Sequence, residues 1–435
     1  MGAAAGIATA VLAVQLWRYL LPILEQPYWV SSAVFGLDQG YSLEEQALAI
    51  AQSNLLSAIE ARRLPDGSTK RVLNAGSRNF REPWARDFGF ASYGLLALGE
   101  LRAVRETLEA FLNFQKPNGQ LPVKIHSTSV FTRYLYSLLK REQPIYKPLQ
   151  PKYQTGHRSA SLDGNALLVI AALNYLKRSG DQDFASAHWS ALKRGLDWLE
   201  AFAAQPDGLL YQSAYADWAD SIARPGRVLY TNVVYWKALG EMAATAGRLG
   251  KSDDRNHYTQ LKENVARAIQ EFFWREDLGY FITHKRFKNL SSSGNLLAVA
   301  WGLANPEQAE SILQRMREFH MAEPVPTQTV NKAYPRRFIA LENRLGGIPY
   351  YHTRAAWLWL GAWHVIALQR AGHSEQAREM FKRMAGIIVR DGEVHEVYTP
   401  QGNYISTRWY TSEAPLTWSA GMVVYAGHVL QGSES

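Results

Sequence analysis

Apolar positions recur along this chain at i, i+3, i+4 and i+7 in two alternating kinds of segment, and the alternation predicts an all-α double ring. Segments poor in charge and rich in Gly, Ala and aromatics fall near 87–99, 161–179, 232–249, 292–304, 353–371 and 414–430. Amphipathic, charge-studded segments follow them near 100–115, 184–203, 252–274, 305–319 and 373–390, and the opening segment near 42–62 partners the closing one. The stretch 353–372, with Trp357, Trp359, Trp363 and Ile366, is apolar nearly all round and predicts burial on every side. Its follower puts Met380, Met384 and Ile387 on one stripe and Glu379, Lys382 and Arg383 on the other, as an outer helix facing solvent would. Short connectors such as Gly372-His373 imply antiparallel neighbours. All inner helices then start at one mouth, where the long polar loops before 87, 161, 232, 353 and 414 also lie. The expectation is a toroid of about twelve helices over 42–430, in one domain.

Composition narrows the chemistry. The 435 residues are 47% hydrophobic, enough for a large core, and no Pro/Gly/Ser linker divides them. With no Cys there are no disulfides, thiolate metal sites or cysteine nucleophiles, which fits a cytoplasmic setting. A net charge of +8 without a run of Lys or Arg gives no nucleic-acid footprint. No metal motif, phosphate loop, dinucleotide fingerprint or nucleophile elbow occurs, so neither a metal nor a cofactor is expected. Residues 1–30 stand apart: Ala3 to Leu24 is strongly apolar but interrupted by Gln15 and Arg18, and no basic region precedes it. The segment reads as a membrane anchor of marginal length, a misassigned start, or a helix docked on the ring, which makes membrane contact through residues 1–24 one expectation. The oligomeric state is not legible.

Three mouth loops carry the candidate chemistry. In Trp84-Ala85-Arg86-Asp87, the Asp is either a helix N-cap or, with Arg86 and the indole, a grip for vicinal hydroxyls. In Asp217-Trp218-Ala219-Asp220, two carboxylates flank a tryptophan; this is either a solvated Asx turn or a carboxyl whose poor solvation raises its pKa toward that of a general acid. The third loop runs from Glu393 through Glu396-Val397-Tyr398 to Trp409, Glu413 and Trp418; the alternation of Val394, Glu396 and Tyr398 reads as a short extended piece, and Glu396 is either an ion-pair partner or a catalytic carboxylate. Lesser loops hold Asp163, Asn232, and Tyr351-His352 before Trp357. Aromatic rings and carboxylates on one rim suit a carbohydrate, whereas aromatics within helices, such as Trp236 and Trp363, read as core packing.

Taken in this order, these runs resemble the (α/α)6-barrel glycoside hydrolases, the group of amylo-α-1,6-glucosidases, glucoamylases, family 63 glucosidases and alkaline/neutral invertases, over nearly the whole of 42–430. The resemblance implies that Arg86 and Asp87 hold the sugar of the innermost subsite, that Asp220 is the general acid with Asp217 in reserve, and that Glu396 is the general base with Glu393 in reserve. Weaker matches make Trp84, Asp163, Trp218, Asn232, His352, Trp357 and Trp418 substrate contacts. An extra β-sandwich domain found in many such enzymes is lacking. The activity implied is inverting hydrolysis of an α-glucosidic bond in an oligosaccharide or small glucoside. Its alternatives are invertase-type cleavage of sucrose, an epimerase or lyase, and a non-catalytic sugar-binding protein on the same toroid.

Overall fold

The structure is a computed structural model and describes residues 13–18, 20–29, 33–34, 40–203 and 207–432. A short N-terminal helix, α1, takes in residues 13–18 and 20–24. Six outer helices follow as α2 (Leu43–Ser57), α4 (Leu101–Leu112), α7 (Gln182–Glu200), α9 (Ser252–Phe273), α11 (Pro306–Glu318) and α14 (Ser374–Asp391). They alternate with six inner ones: α3 (Ala85–Ala97), α6 (Leu162–Ser179), α8 (Leu229–Arg248), α10 (Ser292–Ala300), α13 (Leu358–Arg370) and α15 (Thr417–Leu430). Each inner helix packs on the next, and α15 returns to α3, so the inner ring closes; α2 seals the outer ring against α14 and α15. The expected double ring of twelve is present.

Residue choice explains the layering. In α13 every residue from Leu358 to Leu368 is buried, whereas α14 buries only a stripe including Ala377, Phe381, Met384 and Ile388. The ring closes tightly because small residues meet at the α3–α15 seam. A Cβ on Gly94 would lie 2.3 Å from the carbonyl oxygen of Gly421, and one on Gly421 would lie 2.7 Å from the Cα of Ala91. Backbone therefore touches backbone there, and only glycine fits.

The structure departs from the periodicity in several places. The helix expected over 42–62 stops at Ser57, and β1 (Ile59–Arg63) pairs antiparallel with β2 (Thr69–Leu73) around a turn whose Gly67 has φ 85°. Two further hairpins, β3 (Lys124–His126) with β4 (Gln150–Lys152) and β5 (Trp274–Arg275) with β6 (Tyr280–Phe281), and two short helices, α5 (Val130–Leu138) and α12 (Leu341–Leu345), sit in connections. The helix expected from 353 begins at Leu358, because Ala356 is extended and bridges both Gln328 and Tyr398. The same device recurs around the mouth: Trp84 bridges Lys124, Val228 bridges His284, Ser291 bridges Val330 and Leu416 bridges Gly76. Apolar spacing does not register it, since one extended residue before a helix leaves the apolar period intact.

The membrane-associated localisation drawn from residues 1–24 is corrected. Residues 1–12 lie outside the described residues, and among those described no helix is long and apolar enough to cross a membrane. After α1 the chain turns onto protein: the Trp29 N–H donates to Lys140 O at 3.0 Å, Tyr28 bridges Arg141, and the Arg141 guanidinium lies 3.5 Å over the Tyr28 ring.

Candidate active site

The starts of α3, α6 and α8, together with the loops before α8, α13 and α15, bring the candidate carboxyls into one electrostatic neighbourhood. Arg86 lies in the first turn of α3, where its Nε and Nη2 donate to both carboxylate oxygens of buried Asp163 on α6, at 2.6 and 3.2 Å. Asp163 also accepts from the Ser161 hydroxyl and the Gly164 N–H. This buried, bidentate pair keeps Arg86 charged, and the charge of Asp220 acts on it as well.

Asp87 is not a cap, because the N-cap of α3 is Trp84. Its side chain is half-buried, and burial pushes it up to about 7, against the pull of Arg86 and with a further push from Glu396 and Asp220. Asp220 behaves alike: burial raises it to about 7, Arg86 pulls it down, and Asp217, Asp163 and Glu396 push it up. Among the described residues no side chain hydrogen-bonds the Asp220 carboxyl. Its loop is instead fixed at the neighbours, where the Ser221 hydroxyl meets His352 Nδ1 at 2.8 Å and the Ala219 N–H donates to Asp217 at 2.9 Å.

Glu396 is set differently. The hydroxyls of Tyr351 and Tyr410 both donate short hydrogen bonds to it, and the Glu413 N–H donates at 3.2 Å. Burial raises its pKa, and these three donors oppose the rise. Beside it, buried Glu413 accepts the N–H groups of Arg78 and Asn79 at 2.6 and 2.7 Å, and burial brings it up to about 7. Gly76 makes room for Glu413, since a Cβ there would lie 2.4 Å from its Oε1.

The remaining candidates separate into those near this cluster and those spent elsewhere. Asp217 is saturated by Arg224 at 2.5 Å, Gln212 at 2.8 Å and the Ala219 N–H, and Glu393 pairs with Arg78 at 3.1 Å. Asn232 uses its amide on backbone, accepting from the Leu210 N–H at 2.7 Å and donating to Val228 O at 2.9 Å. Asn165 on α6 and Asn295 on α10 do the same at the fourth residue of their helices, so this asparagine is a repeated tie between inner helix and neighbouring chain. Trp218, Trp357 and Trp418 are buried with Phe90 and Trp359 in one aromatic cluster, where Trp218 meets Trp359 edge-on at 4.9 Å and donates to Ser293. The indole N–H groups of Trp84 and Trp418 have no acceptor among the described residues, while the Trp84 ring is covered by Lys124 Nζ at 4.7 Å. His352 stacks on Trp357, and burial holds its imidazole neutral.

Sequence reasoning did not single out Tyr410, Arg224 or Glu413 as functional. Tyr410 reaches Glu396 only because the chain from Tyr398 to Thr411 doubles back through bridges from Tyr398 to Tyr404 and from Ser406 to Thr411. No local spacing signals that return.

Comparison with known proteins agrees with this architecture. The profile of the bacterial alpha-L-rhamnosidase six-hairpin glycosidase domain matches residues 108–324. Over 193 residues the chain is 23% identical to the N,N'-diacetylchitobiose phosphorylase of Vibrio proteolyticus, a stretch covering 39% of this chain and about a quarter (24%) of the phosphorylase. Its fold superposes on a rhamnosidase from Klebsiella oxytoca solved with rhamnose bound, with a TM-score of 0.66, 15% identity, and coverage of 93% of this chain and 66% of that one. It also superposes on the family 63 mannosylglycerate hydrolase from Thermus thermophilus, with a TM-score of 0.62, 14% identity, and coverage of 88% and 99%. The chain is thus an (α/α)6 toroid with a carboxylate-rich mouth. Its fold is that of the six-hairpin glycosidases, and the rhamnosidase-type profile of that group matches it over residues 108–324.

Proposed function

We propose that this protein is an inverting glycoside hydrolase acting on an α-glucosidic bond, with Asp220 as general acid and Glu396 as general base. The observation that carries this reading is the unequal setting of two carboxyls that share one field. Asp220 is half-buried, accepts no side-chain hydrogen bond among the described residues, and is pushed up to about 7, as suits a group that must hold a proton before it donates it. Glu396 is fixed by two tyrosine hydroxyls and a backbone N–H, which favour its ionised form and orient its oxygens. Asp220 donates its proton to the glycosidic oxygen as the bond breaks, and Glu396 takes one from the water that attacks the anomeric carbon from the opposite face. Arg86, held by Asp163, and Asp87 bind hydroxyls of the glucosyl unit.

Asp217 fits the acid role less well, because Arg224, Gln212 and the Ala219 N–H already occupy its oxygens. Phosphorolysis is the second reading, favoured by the phosphorylase relative; an ionised Glu396 on the attacking side would repel phosphate and favours water instead. The test is to follow the sugar released from sucrose, trehalose, maltose, isomaltose and glucosylglycerate by proton NMR, with and without phosphate. Release of the β-anomer from an α-glucoside, independent of phosphate, is expected. A retained anomer, a sugar phosphate as product, or no cleavage of any α-glucoside overturns the proposal.

A further inference from the structure

Beside the mouth lies a cavity of about 820 Å³, walled by the loop that leads from β4 into α6 and by the ends of α4 and α7. Three cations line it: Lys116, Lys152 and Arg158; among the described residues its wall holds no Asp or Glu. The carboxylate whose charge reaches Lys152, Glu82, is already engaged by Lys124 and by Arg133 at 2.9 Å. Lys152 also stands opposite Lys124 in the β3–β4 ladder, a like-charge pairing that weakens a hairpin. Lys116 spends its donor on the neutral Gln120 at 2.9 Å and sits 4.0 Å over the Tyr153 ring. Arg158 has φ 62°, in the left-handed region that costs a residue with a side chain about 1 kcal/mol, and the turn from Thr155 to Ser159 holds it there with an N–H···O bond of 2.8 Å. Tyr153, Trp198 and Phe202 supply ring surface to the same cavity.

Lys116 and Lys152 are half-buried and Arg158 is exposed; partly desolvated positive charge without a carboxylate to answer it costs stability, and an anionic ligand supplies the missing charge. Rings beside it provide the apolar face that a pyranose stacks on. The cavity also adjoins the catalytic loops: His157, within the same turn, stacks at 4.0 Å on Tyr215, five residues before Asp220, and the chain then enters α6 at Ser161, the residue bonded to Asp163. We propose that this cavity is a subsite for a sugar unit bearing a carboxylate or sulfate, so that the natural substrate is an acidic oligosaccharide. This deepens the hydrolase reading and rests on it. The chain's net charge of +8 favours such a partner over a neutral one.

The test measures binding to the full chain by calorimetry, using trigalacturonate, a sulfated trisaccharide, neutral cellotriose and sodium sulfate as probes. At least one acidic trisaccharide should bind roughly tenfold or more tightly than cellotriose, weaken as salt is raised, and lose that preference in the Lys152→Gln/Arg158→Gln variant. Which acidic probe binds better distinguishes carboxylate from sulfate. Cleavage of an uncharged nitrophenyl glycoside should be the same in that variant and in the parent, which also shows that the variant folds. Equal binding of acidic and neutral trisaccharides, a preference that survives in the variant, or binding of sodium sulfate as tight as that of the acidic trisaccharides overturns the subsite. If the preference stands while no glycoside is cleaved, the hydrolase reading fails and the acidic-sugar site remains.

Discussion

At the residue scale, a carboxyl placed where water is scarce costs stability and gains chemistry. Asp220 rises from an ordinary 3.8 to about 7, so between about pH 4 and pH 7 the folded chain keeps a proton that the unfolded chain has lost. Stability contributed by this group is therefore full at low pH and falls as pH climbs through that window. Asp220→Asn removes the penalty: thermal melts should show the variant more stable than the parent at pH 8, with the gain fading toward pH 4. The same variant should lose about a hundredfold or more in kcat, measured with whichever glycoside the parent cleaves. Tyr410→Phe acts on the other carboxyl. Loss of a donor lets Glu396 rise further, so the acidic limb of the kcat/KM profile should move to higher pH and turnover should fall about tenfold. An unmoved limb would place the base elsewhere.

At the element scale, the mouth is organised by what precedes each inner helix. Before five of the six inner helices one extended residue pairs with a neighbouring segment, and in three inner helices an asparagine at the fourth position ties down a further stretch of chain at Leu121, Leu210 or Phe281. Asn232 matched a substrate-contact position in sequence, and both its amide and its carbonyl meet backbone instead. Asn232→Ala strands the Leu210 N–H in a buried setting and should cost about 1–3 kcal/mol in denaturant unfolding. Since Asp220 lies on the loop between Leu210 and α8, kcat should fall as well, while an Asn232→Asp variant, which keeps the acceptor, recovers part of the stability. The tryptophans follow the same lesson: Trp218, Trp357 and Trp418 sit at the mouth in sequence, and in space they pack on one another and on Trp359 in the ring's aromatic centre.

At the scale of the whole molecule, closure of the ring makes the site, because α3, which carries Arg86 and Asp87, is held against α15, which follows the Glu396 loop. Gly94 and Gly421 set that seam. Gly94→Ala drives a Cβ into a carbonyl oxygen that has no room to yield, and should cost about 3 kcal/mol or more in thermal or denaturant unfolding, with activity lost in parallel. A neutral outcome would mean that α3 and α15 stand further apart than 2.3 Å contacts allow.

The sequence by itself determined the alternation of buried and half-buried helices, their count, and the mouth on which loops gather, because apolar periodicity and connector length are local properties that a ring cannot contradict. It also marked Arg86, Asp87, Asp220 and Glu396 as chemistry-bearing. The tertiary structure alone decided which polar residues answer one another: Arg86 with Asp163, Asp217 with Arg224, Glu396 with Tyr351 and Tyr410. Those pairings join residues separated by up to 77 positions, and a side chain's charge state follows from what lies beside it in space, which no spacing along the chain records.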